Sequence, residues 1–325
     1  MKRLLTILCA MLMFCMAVQA EGDFMKNART IPEELEVVPE SYKRPAEQQG
    51  TLEKLTYDTW ESFTYDQHSQ RLTKEAWVYL PYGYDTGKPY HIFYISHGGW
   101  SNETTTLGTA SRPSELKNII DHAIQNGKMI PMIIVCPTYN NTSPSDSGDY
   151  SLALQLTDQF HNELVNDLIP AVESKYHTYA EYNVTTEGQK ASRDYRGFGG
   201  FSMGSVNSWH TFQYCLDSFR YFMPMSGNMG DGGWAAQVVQ DSDWTDEDFF
   251  IWTATGTADF AGSGFTYQIE SMSTRYNDVF HLANSEAEGN LSFRLKEGYA
   301  HDTIAHNEYI YNALCWFWHM NNYEY

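Results

Sequence analysis

Gly200-Phe201-Ser202-Met203-Gly204 places a serine in a G-x-S-x-G pentapeptide between a strand-like and a helix-like run, the pattern of a nucleophile elbow. A serine hydroxyl attacks poorly at neutral pH, so such a site also needs a base to take its proton and an acid to orient that base. The chain supplies both after the serine. Asp259 closes Gly256-Thr257-Ala258-Asp259, just past the apolar run Phe249 to Thr255, and His301 lies in Gly298-Tyr299-Ala300-His301-Asp302, after the run Leu291 to Leu295. Each falls on a loop at the carboxyl end of a strand, where the ligand sites of open α/β sheets lie. The chemistry such a set permits is acyl transfer, with Ser202 attacking, His301 accepting its proton and Asp259 stabilising the imidazolium.

The oxyanion of that reaction needs N–H donors. By position these are the amide of Met203 and one from the loop His97-Gly98-Gly99-Trp100, with Gly99 the choice for the second donor. The bland alternatives are a plain Gly-Gly turn and, at Asp259, an ordinary turn aspartate. Asp241, Asp243, Asp246 and Asp248 precede the strand and so compete poorly with Asp259. His281, in a helical pattern, and His306, in the terminal helix, are rivals to His301 but sit where histidines serve packing or surface. Asp302 suits a helix N-cap and His97 a structural role. Trp100 either contacts substrate or belongs to the core of an aromatic-rich chain. No H-E-x-x-H, C-x-x-C or Gly-rich phosphate loop occurs, so neither metal nor cofactor is called for.

The elements that position these residues alternate. Leu52 to Trp60 and Lys74 to Leu80 read as antiparallel edge strands ending at the turn Pro81-Tyr82-Gly83. His91 to Ser96 and Met129 to Cys136 are short apolar strands around a helix from Pro113 to Gln125. Leu156, Phe160, Leu164, Leu168, Val172 and Tyr176 recur every four residues along a long helix that Pro170 should kink. The elbow strand from Asp194 follows, then a helix with Val206, Trp209, Phe212 and Cys215 on one face, strands at Tyr221 to Met225 and Phe249 to Thr255, a helix from Thr266 to Leu282, a strand at Leu291 to Leu295 and a helix from Ile304 to His319. The alternation implies α/β architecture: a mostly parallel central sheet with helices on both faces.

Residues 1–20, with Lys2, Arg3, an apolar stretch and Val18-Gln19-Ala20, read as an export signal, which implies a periplasmic or extracellular protein starting near Glu21. Cys15 follows bulky Phe14, so a lipoprotein box is the minor reading. Residues 21–50 look like a linker or surface arm, and 51–325 like one catalytic domain. No later stretch is long and apolar enough to span a membrane. The formal charge of -20 becomes more negative once Lys2 and Arg3 leave, which disfavours nucleic acid and anionic membranes as partners. Cys136, Cys215 and Cys315 sit in apolar runs and read as free thiols. Oligomeric state is left open.

Tyr79-Leu80-Pro81-Tyr82-Gly83-Tyr84, Ser96-His97-Gly98-Gly99-Trp100, the elbow, Gly256-Thr257-Ala258-Asp259 and Gly298-Tyr299-Ala300-His301 together resemble the esterase-D-like α/β-hydrolases. More closely they resemble the secreted feruloyl and acetyl-xylan esterases of carbohydrate esterase family 1, from about Leu52 onward. The resemblance implies a serine esterase with Ser202 as nucleophile, Asp259 as acid, His301 as base and Met203 with Gly99 as oxyanion donors. Its substrate would be feruloylated or acetylated xylan and its oligosaccharides, with ferulate release the leading expectation. Acetyl-xylan or siderophore-lactone hydrolysis, acyl transfer to another acceptor, and non-catalytic glycan binding are the alternatives. Asn140 to Tyr150 and Glu181 to Arg196 match no pattern of use in choosing among them.

Overall fold

A computed structural model describes residues 26–319, so the predicted export signal lies outside the described residues. Eight strands form one sheet in the order β1 (Thr51–Trp60), β2 (Arg71–Leu80), β6 (Ile133–Cys136), β3 (Ile92–Ser96), β7 (Arg196–Phe201), β8 (Tyr221–Met225), β9 (Phe250–Gly256) and β10 (Leu291–Lys296). β1 and β2 are the antiparallel edge, and from β6 to β10 every pairing is parallel. A small ribbon, β4 (Gly108–Thr109) and β5 (Arg112–Pro113), stands apart.

Strand alternation feeds two cores. In β3, Ile92 and Tyr94 face one side while Phe93 and Ile95 face the other. The first side is covered by α2 (Tyr150–Glu163), α3 (Ile169–Glu173), α5 (Met203–Tyr214), α6 (Gly233–Gln240) and α7 (Gly262–Arg275), through residues such as Phe160, Trp209, Ala235 and Phe265. The second is covered by α1 (Glu115–Gln125) and α8 (Thr303–Trp316), through Ile119, Tyr309 and Leu314. A short helix, α4 (Thr186–Ala191), precedes β7. The α/β architecture read from the alternation is thus present, helices on both faces included.

Three local readings change. The helix around Pro170 does not simply bend: residues Leu164–Leu168 form a π-helical turn in which the Ile169 amide donates to the Leu164 carbonyl, and Pro170 opens α3. A proline cannot donate to the carbonyl four residues back, and a wider turn ahead of it absorbs the mismatch. The helix expected from Thr266 to Leu282 ends at Arg275, so His281 is in a loop, its Nε2 2.9 Å from Asp246 Oδ2; Val279 and Phe280 are buried from a turn rather than a helix. The segment before β1 is more than a linker. From Asn27 to Ala46 it lies on the α8 side, burying Ile31, Leu35, Val38 and Tyr42, with Asn27 Nδ2 donating to the Trp316 carbonyl at 2.7 Å and Trp316 Nε1 to the Arg29 carbonyl at 2.7 Å.

Cys136, Cys215 and Cys315 are free, the first two buried and the third half-buried. Burial pushes all three thiols above their ordinary range.

The elbow strand is anchored at its start by a buried ion pair. Arg196 donates through Nε and Nη2 to the two carboxylate oxygens of Glu173 at 2.6 and 2.9 Å, and Tyr94 and Thr178 hydroxyls donate to the same carboxylate at 3.0 and 2.8 Å. Both charges are out of water, 1% and 0% exposed, so removing one strands the other. Glu173→Ala is expected to lower the unfolding free energy by about 3–5 kcal/mol, measured by urea denaturation, whereas an unchanged midpoint would mean that Arg196 finds a partner elsewhere.

Candidate active site

β7 runs directly into α5, and Ser202 is the corner, with φ 62° and ψ −121°. This region is costly for a residue with a side chain and persists only where surroundings enforce it. The enforcement is visible on both sides. The Ser202 amide donates to the Met225 carbonyl at 2.9 Å, tying the corner to β8. A Cβ on Gly200 would sit 2.6 Å from Gly204 backbone and from the Ser96 carbonyl oxygen, and one on Gly204 would sit 2.3 Å from that same oxygen. The two glycines of the pentapeptide are therefore demanded by backbone contact between α5, β7 and β3.

α5 is buried on every side from Met203 to Phe212, beyond the single apolar face of the sequence pattern. Several of its polar groups bond to neighbouring backbone and side chains: Ser205 Oγ donates to the Gly227 carbonyl at 2.6 Å, Asn207 Nδ2 to Ser96 Oγ at 2.9 Å and Thr211 Oγ1 to the Asn207 carbonyl at 2.9 Å.

Asp259 and His301, 42 residues apart in sequence, meet at the carboxyl ends of β9 and β10. His301 Nδ1–H donates to Asp259 Oδ1 at 2.8 Å, with Oδ2 at 3.0 Å. With Nδ1 committed as donor, Nε2 is the basic nitrogen of the neutral ring. The Asp259 side chain is fully covered. Burial pushes its pKa up, but hydrogen bonds from His301, the Ala261 amide and the Ser226 hydroxyl outweigh it and hold the carboxyl below its ordinary range. Two aromatic rings pack against the imidazole, Phe201 at 4.5 Å and Phe260 at 4.2 Å.

Ser202 and His301 line one cavity of about 460 Å³, together with Gly98, Gly99, Trp100, Leu116, Phe260 and the first residues of α1 and α8. No described residue accepts a hydrogen bond from the amides of Gly99 or Met203, which leaves both N–H groups available beside the serine. Trp100 is not a core residue: it is 75% exposed at the cavity rim, with its amide donating to the Ser147 carbonyl at 2.9 Å.

The remaining sequence candidates are structural. Asp302 caps α8, accepting from the Ile304 and Ala305 amides. His97 is 2% exposed and stacks on Tyr139; its Nδ1 donates to the Gly98 carbonyl at 2.7 Å and its Nε2 lies 2.8 Å from Thr138 Oγ1, so it braces the loop that carries Gly99. His306 packs edge-on against Phe201. Sequence reasoning missed Ser226, Phe260 and the wall formed by Glu115, His306 and Asn307. Ser226 carries no motif; only the adjacency of β7, β8 and β9 brings it to Asp259. Phe260, directly after Asp259 and 81% exposed, could have been flagged by that position.

A serine at positive φ on a strand-to-helix corner, with an Asp–His pair at the carboxyl ends of two later parallel strands, defines an α/β-hydrolase. The chain matches the family model described as "Putative esterase" over residues 70–255, and it belongs to that esterase family. It is a carboxylic ester hydrolase. It is 38% identical over 288 residues to endo-1,4-beta-xylanase Y of Acetivibrio thermocellus; the match takes in 86% of this chain and spans 24% of that larger protein. A solved serine-to-alanine mutant of the feruloyl esterase module from Clostridium thermocellum, complexed with sinapinate, is 35% identical, with a TM-score of 0.77 over 93% of this chain and 99% of the module. A ferulic acid esterase of Anaeromyces mucronatus shares the fold at 22% identity and a TM-score of 0.63, over 87% of this chain and 97% of its own. Among the described residues no helix is long and apolar enough to cross a membrane, and no group of three or more His, Cys, Asp or Glu is arranged to hold a metal ion.

Burial depresses the His97 pKa to about 4, the hydrogen bond to Gly98 offsetting it only in part. The unfolded ring binds its proton near 6.5, so its contribution to stability is whole above that pH and is lost as pH falls through about 4. Wild type should lose up to about 1.4 kcal/mol per pH unit more than His97→Gln between these limits, measured as the difference of two denaturation series; parallel curves would mean that the ring is protonated in the folded protein.

Proposed function

We propose that this chain is an exported serine esterase that releases ferulate or related hydroxycinnamates from plant cell-wall arabinoxylan through an acyl-enzyme. The observation that carries this reading is the 35% identity to a feruloyl esterase module, spanning nearly the whole of both chains, around a Ser202–His301 cavity large enough that an acetyl group would leave most of it empty. The similarity to a xylanase supports xylan as the polymer, and Lys2, Arg3 and the apolar stretch after them support export.

In this reading the Ser202 hydroxyl oxygen attacks the ester carbonyl as His301 Nε2 takes its proton. Asp259, accepting from Nδ1–H at 2.8 Å, keeps the ring in the tautomer that presents Nε2 and stabilises the imidazolium. The amides of Met203 and Gly99 hold the oxyanion. Collapse of the tetrahedral intermediate breaks the ester C–O bond, and the departing sugar hydroxyl takes the proton from His301. A water molecule then attacks the acyl-serine, giving its proton to His301, and ferulate leaves as Ser202 regains its hydrogen. Trp100, exposed at the rim, offers a flat face for the aryl acid or a sugar ring.

The mature protein should show a kcat/KM on methyl ferulate well above that on an acetyl ester of similar reactivity, with Ser202→Ala removing both. A preference for acetate would move the function to deacetylation while leaving the serine mechanism in place. Asp259→Asn should retain binding and lower kcat by about 10⁴-fold through the wrong imidazole tautomer, in steady-state kinetics; a loss under tenfold would remove Asp259 from the mechanism.

A further inference from the structure

Among the polar side chains of the cavity is a braced set that neither ester cleavage nor the oxyanion requires. It is built where the first turns of α1 and α8 face each other, by Glu115, His306 and Asn307. Asn307 Nδ2 lies 3.3 Å from Glu115 Oε1, and Asn307 Oδ1 lies 2.9 Å from His306 Nδ1.

Chemistry fixes the direction of both bonds. A carboxylate accepts only, so the atom that Asn307 turns to Glu115 must be its NH₂ group. Its carbonyl oxygen then faces His306, and the nitrogen opposite must carry a proton. Burial of His306 lowers its pKa, so the ring is neutral with that proton on Nδ1. Donors therefore run from His306 to Asn307 to Glu115, each bond polarising the next. Asn307 is 6% exposed and held between its two neighbours, whereas Glu115 is exposed at the cavity. The chain of donors ends in an acceptor that has capacity left over.

Elsewhere the lining joins apolar and aromatic side chains, Leu116, Phe201, Phe260 and Trp100, to the hydroxyls of Ser101, Thr105, Thr106, Ser114 and Thr303 and to Asp302, the cap of α8. A partly aromatic slot whose wall ends in an exposed carboxylate suits a planar, uncharged group with a hydroxyl donor, and it disfavours a group bearing a negative charge. We propose that Glu115, oriented by Asn307 and His306, accepts the phenolic hydroxyl of a 4-hydroxycinnamoyl group and so selects acyl groups that carry a free phenol. The inference rests on the hydroxycinnamate reading given above and adds to it the group that distinguishes one cinnamate from another.

A site that hydrogen-bonds a substrate hydroxyl rejects the analogue without it, because its own polar group is then left unpaired. The test is kcat/KM for methyl ferulate and for methyl 3,4-dimethoxycinnamate, in which the phenol is capped, on wild type and Glu115→Ala. Both substrates are read on the same enzyme sample, so a partly misfolded variant cancels from the ratio. Wild type is expected to favour ferulate by about tenfold, given a partly solvated acceptor, and Glu115→Ala to bring the ratio within about twofold of one. Asn307→Ser, which removes the brace and leaves the carboxylate, should give an intermediate ratio. A wild-type ratio near one, or a tenfold ratio that survives in Glu115→Ala, overturns the assignment while leaving ferulate hydrolysis intact. Wild type that cleaves acetyl esters and neither cinnamate would overturn the hydroxycinnamate reading and this assignment with it.

Discussion

The contact between Gly204 and the Ser96 carbonyl is the constraint on which the site depends. A Cβ there would stand 2.3 Å from that oxygen, so α5 can approach the end of β3 this closely only because Gly204 has no side chain. The approach goes with the positive φ of Ser202 at the corner, where the first amides of α5 have no intrahelical acceptor. The same contact brings the loop that carries Gly98 and Gly99 against the corner: a Cβ on Gly98 would touch the Phe201 carbonyl oxygen at 3.4 Å and the Ser202 side chain at 3.5 Å. One backbone approach thus bears on the geometry of the proposed nucleophile and of both candidate oxyanion donors.

Electrostatics complete the site in a way that burial alone opposes. Asp259 is covered, which by itself would raise its pKa, and hydrogen bonds from His301, the Ala261 amide and Ser226 hold it below its ordinary range instead. Ser226, also at positive φ and hydrogen-bonded at its amide to the Ala254 carbonyl, joins the elbow's neighbour strand to the acid. Phe201 and Phe260 both pack against the His301 ring, and the covered Asp259 carboxylate makes its bond to Nδ1 stronger than the same bond in water.

Much of this was legible in the sequence for a physical reason: glycines, short apolar strands and the order Ser, Asp, His each reflect a local requirement. The elbow needed Gly200 and Gly204; the strands needed apolar residues on both faces; Asp259 and His301 needed to follow strands. What could not be read depends on contacts between distant segments. Ser226 meets Asp259 only through sheet order, and the Glu115–Asn307 pair joins residues 192 apart. The docked arm buries Ile31, Leu35 and Val38 in an extended path with no helical or strand period to reveal it. The π-helical turn before Pro170 and the early end of α7 show the same limit from the other side, where an apolar spacing continues although the backbone has changed.

The central claim is that Ser202 carries the acyl group. Rapid mixing of the protein with an excess of methyl ferulate, acid quenching within the first turnover and peptide mass spectrometry address it directly. The account predicts a feruloyl adduct, formed with release of methanol, on the peptide containing Ser202 and absent from Ser202→Ala. Ferulate release at full rate with no adduct on that peptide, or with the adduct on another residue, would contradict it.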